Sequence, residues 1–284
     1  MLFPMIALPE RHQKLMKVAT ELPAGPRILA LLGRRLLDMH SDLGVVADLI
    51  RCDPALTARI LRVANSVAFR AESPLASLEE ALARVGFVEV YRLTGFIAVA
   101  QISESSLPFY GVTGAQFREN SLLTALLMEE MATAAGMDAQ GAYTAGLLRS
   151  IGKIALNRLA VQAGDPPNYD EDGAGPLAEW EKRVIGWNNC AAAAEILREW
   201  RFPDDLLRAI ADHYVPSTAE PALAVLLNLA AGAAERCGHG LPGEFSYWEL
   251  SRERLAVLGI EEIQIEEATH RALEKFGPIR AAVG

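Results

Sequence analysis

Cysteine is scarce in this 284-residue chain: Cys52, Cys190 and Cys237 only, with no C-x-x-C pair. An odd number at such spacing excludes a disulfide framework and a thiolate zinc site, and it fits free thiols in a reducing compartment. Long apolar runs are also missing. The best, Ala222 to Ala234, has 13 residues with Asn228 among them, short of the roughly 20 that span a bilayer. It reads as a buried helix. Residues 1–9 are apolar but show no basic leader or small-residue cleavage site, so a cytoplasmic protein without membrane attachment is expected. Positive charge is in deficit, 27 Lys+Arg against 36 Asp+Glu for a net of -9. A chain so balanced is no general nucleic-acid binder.

Catalytic signatures are equally thin. There is no G-x-S-x-G, no cysteine with an evident histidine partner, no P-loop and no dinucleotide fingerprint. The five histidines, His12, His40, His213, His239 and His270, are scattered, and none opens an H-E-x-x-H helix. His40 with Asp42 falls at a junction between helices, where a structural or solvent role is expected. Cys190 lies in an Ala-rich helix, where a small buried thiol is the default.

What is present is a soluble globular composition, 51% apolar and 22% charged, in a chain long enough for one large domain or two lobes. Charge is uneven: residues 1–105 carry a net of +1 and residues 106–284 a net of -10. With a break in pattern near Ser103 to Gly114, this places one lobe at 1–105 and another at 106–284. Nearly every segment has helical periodicity. Ser41 or Asp42 caps a helix through Arg51, and Asp53-Pro54 opens the next. Ser77 with Glu80, and Thr113 with Gln116, form capping boxes, the second opening a helix to about Met131. Further helices are expected at about 138–160, 177–200, 204–213, 221–236 and 261–276. Strand alternation is almost absent, so the fold class is all-α.

Two stretches are more specific. Residues 42–66 form two short amphipathic helices joined by a tight turn, superficially a helix-turn-helix. A DNA reader would expose Arg59 and Arg62 on the second helix, with Arg51 near the backbone. The motif Leu22-Pro23-Ala24-Gly25-Pro26, the run Asp53-Pro54-Ala55-Leu56-Thr57 continuing to Ala64-Asn65-Ser66, and Ser77 to Leu82 with Val85-Gly86 together resemble the HDOD family. That family is an HD-related bacterial regulatory domain. The resemblance covers about residues 15 to 235 and implies a two-lobed helical fold with an HD-like core. The second stretch, Ala142 to Lys153, looks like the helix that carries the His-Asp pair of HD phosphohydrolases.

The resemblance also implies that the metal centre is lost. The pair is Arg149 and Ser150; Asn120 stands where a first histidine is expected; Asn189 stands near another; His213-Tyr214 replaces a histidine pair; and Ala231 replaces an aspartate. Asn and Ser are weak ligands, and Arg149 adds a fixed positive charge that repels a cation. Only His213 remains as a strong ligand. No cofactor and no catalysis are expected, and the chain resembles a degenerate, metal-free HD domain. Asn120, Arg149, Ser150, Asn189, His213 and Tyr214 then either satisfy one another and bound water or form a pocket for a nucleotide or small anion, with Arg149 as the anion's fork. Lys153 can reach the same space or snorkel to the surface.

The function implied is regulatory: a signalling module acting through protein partners, as the output partner of a two-component-type response regulator system, with Arg51, Arg59, Arg62 and Asn65 as a candidate interaction surface. A DNA-binding regulator, a nucleotide sensor and, more remotely, a metal-dependent phosphohydrolase are the alternatives. Trp248, near the acidic final helix, is expected beneath that helix or at a partner interface.

Overall fold

The Asp53 carboxylate accepts the Leu56 N–H at 3.0 Å, and Pro54 behind it opens helix α4 (Pro54–Ala64) without a wasted donor. The computed structural model describes residues 8–23, 25–36, 43–66, 75–103, 105–164, 168–171, 173–217 and 222–283. Among them are fifteen α-helices, two 3-10 turns and no strand, with one isolated bridge between Leu107 and Val112. The fold is all-α. No helix among the described residues is long and apolar enough to cross a membrane. His40, Ser41 and Asp42, expected at a helix junction and cap, lie outside the described residues.

Two compact units divide the chain. One comprises residues 23–102 and 273–284, the other residues 1–22 and 103–272. Relative to a single cut after residue 105, the first helix and the last dozen residues are exchanged between units. The smaller unit contains α2 (Gly25–Leu36), α3 (Leu43–Arg51), α4, α5 (Leu78–Val85) and α6 (Phe87–Ile102). Helix α6 buries residues around its whole circumference, from Val90 to Ile102, which makes it the central helix against which α2, α4 and α5 pack. Ser77 caps α5 by accepting the Glu80 N–H. The Glu80 carboxylate reaches back to the Ala76 N–H rather than to Ser77, so the box closes one residue early.

The larger unit is built on α7 (Gly114–Ala134). Its capping box forms in full, with the Gln116 N–H on the Thr113 hydroxyl and the Thr113 N–H on the Gln116 carbonyl. The helix is buried along nearly its whole length and packs against α8 (Ala139–Leu148) and α13 (Ala222–Arg236). Around these lie α9 (Ile151–Gln162), α10 (Leu177–Val184), α11 (Asn189–Glu199), α12 (Asp204–Asp212) and α14 (Arg252–Leu258), with α1 (Leu8–Glu21) resting on α9 and α11. Helix α15 (Glu262–Val283) runs past residue 276 with Pro278 inside it. Two expected helices are each two. The 138–160 pattern breaks at Arg149 and Ser150, and the 177–200 pattern breaks at Gly186, where φ is +87°.

Two glycines set the spacing in the larger unit. A Cβ on Gly146 would lie 2.8 Å from the Ala125 Cα on α7, and one on Gly152 would lie 1.9 Å from the Asn189 carbonyl on α11. Those close approaches draw the α8–α9 junction, and Arg149 with it, against both neighbours.

Candidate functional site

The α8–α9 junction carries two cations inward. Arg149, at the C-terminal end of α8, and Lys153, one turn into α9, are each 1% exposed. Lys153 does not snorkel. The Arg149 Nη2 donates to the Asn120 carbonyl at 2.7 Å and to the Glu244 carboxylate at 2.9 Å. The Lys153 ammonium sits 3.3 Å from the other Glu244 oxygen and 4.6 Å from the centre of the Tyr110 ring. Asn120 is fixed in turn, its amide donating to the His239 carbonyl at 2.7 Å.

Glu244 is the hub. The Tyr214 hydroxyl donates to it at 2.8 Å, and the Asn189 amide reaches that hydroxyl at 3.0 Å. Asn189, in the first turn of α11, also donates its side-chain and backbone N–H groups to Glu181. The Tyr110 hydroxyl completes that carboxylate at 2.7 Å. Trp248 packs the Arg149 guanidinium at 5.4 Å, stands 6.0 Å from the His213 ring, and lies in contact range of Gly232 on α13. Tyr247 stacks on Tyr214 at 4.2 Å. Trp248 thus packs on Arg149, His213 and α13.

The structure therefore brings Asn120, Arg149, Asn189 and Tyr214 into one hydrogen-bonded network, with His213 against its edge. Ser150 follows Arg149 and is buried, but its hydroxyl makes no hydrogen bond. Ala231 is buried on α13. Glu181 and Glu244 were missed by the sequence reading. Glu181 had a visible signal, since it shares the buried face of α10 with Leu177, Trp180 and Val184. Glu244 follows Pro242-Gly243 in a turn where no periodicity marks it.

Electrostatics follow from burial and pairing. Burial pushes the Glu244 carboxyl up, but Arg149 and Lys153 outweigh it and hold Glu244 down at about 2. Arg149 stays above its ordinary value because Glu244 overrides the burial penalty. Glu181 is raised, burial exceeding the opposing pull of Lys153 and of its hydrogen bonds. His213 falls to about 3, through burial first and the charge of Arg149 second. Its Nδ1 lies 2.7 Å from the Ile210 carbonyl, which only accepts, so the neutral ring carries its proton there and leaves Nε2 with a lone pair.

This donor set does not suit a divalent ion. Nε2 of His213 is one available ligand atom, but a guanidinium and an ammonium stand in the same network, and both carboxylates are committed to protein donors. Among the described residues no group of three or more His, Cys, Asp and Glu could hold a metal.

In the smaller unit the candidate surface residues are placed differently. Arg51 pairs with Asp48 at 2.9 Å and with Glu79. The Asn65 side chain brackets the Leu75 backbone, donating to its carbonyl at 2.9 Å and accepting its N–H at 2.6 Å. Asn65 thus ties the end of α4 to the backbone at Leu75. Arg62 is exposed on α4 and Arg59 half-buried.

Comparison with known proteins agrees with this architecture. The family model of the HDOD domain matches residues 22–216. A provisionally named phosphohydrolase of Shewanella amazonensis SB2B superposes with a TM-score of 0.66 at 22% identity, over 95% of this chain and 98% of that one. An HDOD domain protein of unknown function from Geobacter sulfurreducens gives 0.66 at 18% identity, over 98% of each chain. A provisionally named signal transduction protein of Marinobacter aquaeolei VT8 gives 0.70 at 19% identity, over 97% of this chain and 65% of that one. At such identities the likeness concerns the fold alone. No curated protein matches the chain.

Proposed function

The chain belongs to the HDOD family, and from that premise we propose that it is a non-catalytic regulator of bacterial signalling, cytoplasmic, acting through protein partners as the output side of a response-regulator system. One observation carries the reading. Where the HD resemblance implies a bound divalent cation, this protein holds two of its own, Arg149 and Lys153, both paired to Glu244. A hydrolytic centre needs an ion to make hydroxide from water, and a side-chain cation paired to a carboxylate supplies none. The signal-transduction name of the Marinobacter neighbour is in keeping with this reading; the phosphohydrolase name of the Shewanella neighbour is the reading it replaces.

The partner surface proposed is the exposed side of α4 at Arg62, with Arg59 beside it. A DNA-reading role for the same helix gains little, because Arg51 is already neutralised by Asp48 and Glu79. Elemental analysis of the purified protein for manganese, iron and zinc, with a phosphodiesterase assay in each metal, tests the first half. Substoichiometric metal and no turnover are expected; one equivalent of metal with turnover overturns the reading. Affinity capture with Arg59→Glu/Arg62→Glu tests the second half, with loss of a specific partner at unchanged stability expected.

A further inference from the structure

We infer that Arg149 and Lys153 form a latent binding site for a phosphate group, and that Glu244, on the irregular segment 240–249, is its built-in competitor. The inference rests on the reading above in one respect, that a metal ion does not hold this centre.

The accounting of donors leads there. Arg149 spends its Nη2 on Asn120 and Glu244, while Nε and Nη1, fully buried, donate to no protein acceptor. The Lys153 ammonium is close to Glu244 but forms no directed hydrogen bond. The Ser150 hydroxyl, next to Arg149 in the chain, is also unpartnered. Five N–H groups on a guanidinium and three on an ammonium are thus answered by little more than one carboxylate. The second carboxylate, Glu181, is already supplied by Tyr110 and Asn189.

A phosphate group matches what is left. A phosphate monoester carries a charge of about -1.5 to -2 near neutral pH and three acceptor oxygens, against two cations. Arginine meets such oxygens in a planar fork, with lysine beside it as a point charge. Glu244 supplies one negative charge and also accepts from Tyr214. Glu181 already feels the charge of Lys153, and the half-buried Glu235 is repelled by Glu244, so a further anion finds little room for its charge and exchange requires Glu244 to leave.

The segment bearing Glu244 is suited to leaving. It consists of turns, with Gly243 at φ +77° and a single 3-10 turn, Phe245–Tyr247. Phe245, the next residue, is 63% exposed. Its holds are single hydrogen bonds and side-chain contacts: the Gly243 N–H on Glu171, the Ala178 N–H on the Tyr247 hydroxyl, the Asn228 amide on the Tyr247 carbonyl and Arg254 on Glu249, with Tyr247 stacked on Tyr214 and Trp248 on His213. Swapping one anion for another there breaks no helix.

The test uses the wild-type chain in the presence of a chelator, titrated with inorganic phosphate and, in parallel, with a nucleoside monophosphate and with sodium chloride at matched ionic strength. Amide exchange across 240–249 and calorimetry are the readouts. Saturable binding of either phosphate compound, with faster exchange in 240–249 and no response to chloride, is expected. A response to the monophosphate alone assigns an ester as the ligand; a response to both assigns the phosphate group itself. Lys153→Met should lose the response, and Glu244→Gln should bind about tenfold or more tightly. No saturable response in the wild type up to about 10 mM, or the same response to chloride, overturns the inference. Should Glu244→Gln fail to fold, the wild-type result decides alone. Because chelator is present throughout, a failed phosphate titration overturns this inference and leaves the functional reading standing, whereas a metal found by elemental analysis overturns the functional reading and, if it sits at Arg149 and Lys153, this inference with it.

Discussion

His213 is wholly buried and neutral, with its protonation held to about 3 against an ordinary value of 6.5. Between those limits the unfolded chain binds a proton that the folded one refuses, so stability falls as pH drops from 6.5 towards 3. Glu244 acts in the same direction lower down, since its carboxyl at about 2 lies below the usual 4.5 and its contribution is lost as pH falls through that window. Glu181, raised, works the opposite way: its contribution is complete below 4.5 and is lost as pH rises through its folded value. From pH 7 to pH 4 the histidine alone accounts for about 3 kcal/mol. Urea unfolding at both pH values should show that loss in the wild type and a markedly smaller one in His213→Asn; parallel losses would exonerate the histidine. A second expectation concerns the hub. Glu244→Ala strands two buried cations and should cost about 3–5 kcal/mol, whereas joint replacement of Arg149, Lys153 and Glu244 by apolar residues should recover most of it. Denaturant midpoints of the two variants decide; equal losses would mean that packing, not charge, dominates there.

Among elements, those with short-range chemistry were legible. Asp53-Pro54, Ser77 and Thr113 with Gln116 each predict a helix start that the structure has, because a cap is decided within four residues. Asp53→Ala should accordingly cost about 1 kcal/mol, read as a lower melting temperature, and an unchanged value would show that Pro54 suffices to start α4. Breaks were harder. At Arg149 the backbone stays helical and Ser150 departs only to φ -96°, ψ 8°, so nothing local announces the junction that turns both cations inward. Gly186 did mark the other break, but the apolar pattern on either side continues through it. The same contrast holds for the site. Asn120, Arg149, Asn189 and Tyr214 could be named from the resemblance, and Glu181 from a carboxylate within an apolar stripe. Glu244 lies 95 residues from Arg149 in a loop without period, and only tertiary structure could join them. Gly152 belongs to that tertiary layer too. Gly152→Ala drives a methyl into the Asn189 carbonyl and should destabilise by about 1–3 kcal/mol, with the Arg149–Asn120 contact displaced.

At the scale of the molecule, sequence order and compact units part company at the ends. Residues 273–284 belong with 23–102, and residues 1–22 with the unit that holds the buried network. A charge asymmetry counted along the chain could not see this, because it sums neighbours in sequence and not in space. The exchange has a consequence for truncation. In the last dozen residues, Phe276 and Ile279 are buried at 4% and 9% exposure. At about 1.5–3 kcal/mol for each buried side chain of this size, ending the chain at Ala272 should remove about 3–6 kcal/mol. The loss should fall on the smaller unit, whose central helix α6 lies far from this end in sequence. Amide exchange should therefore quicken across 87–102 in the truncated protein while protection around 149–153 persists. The opposite pattern, with the buried network opening first, would mean that the final turns of α15 support the larger unit instead, and the division of the chain would have to be redrawn.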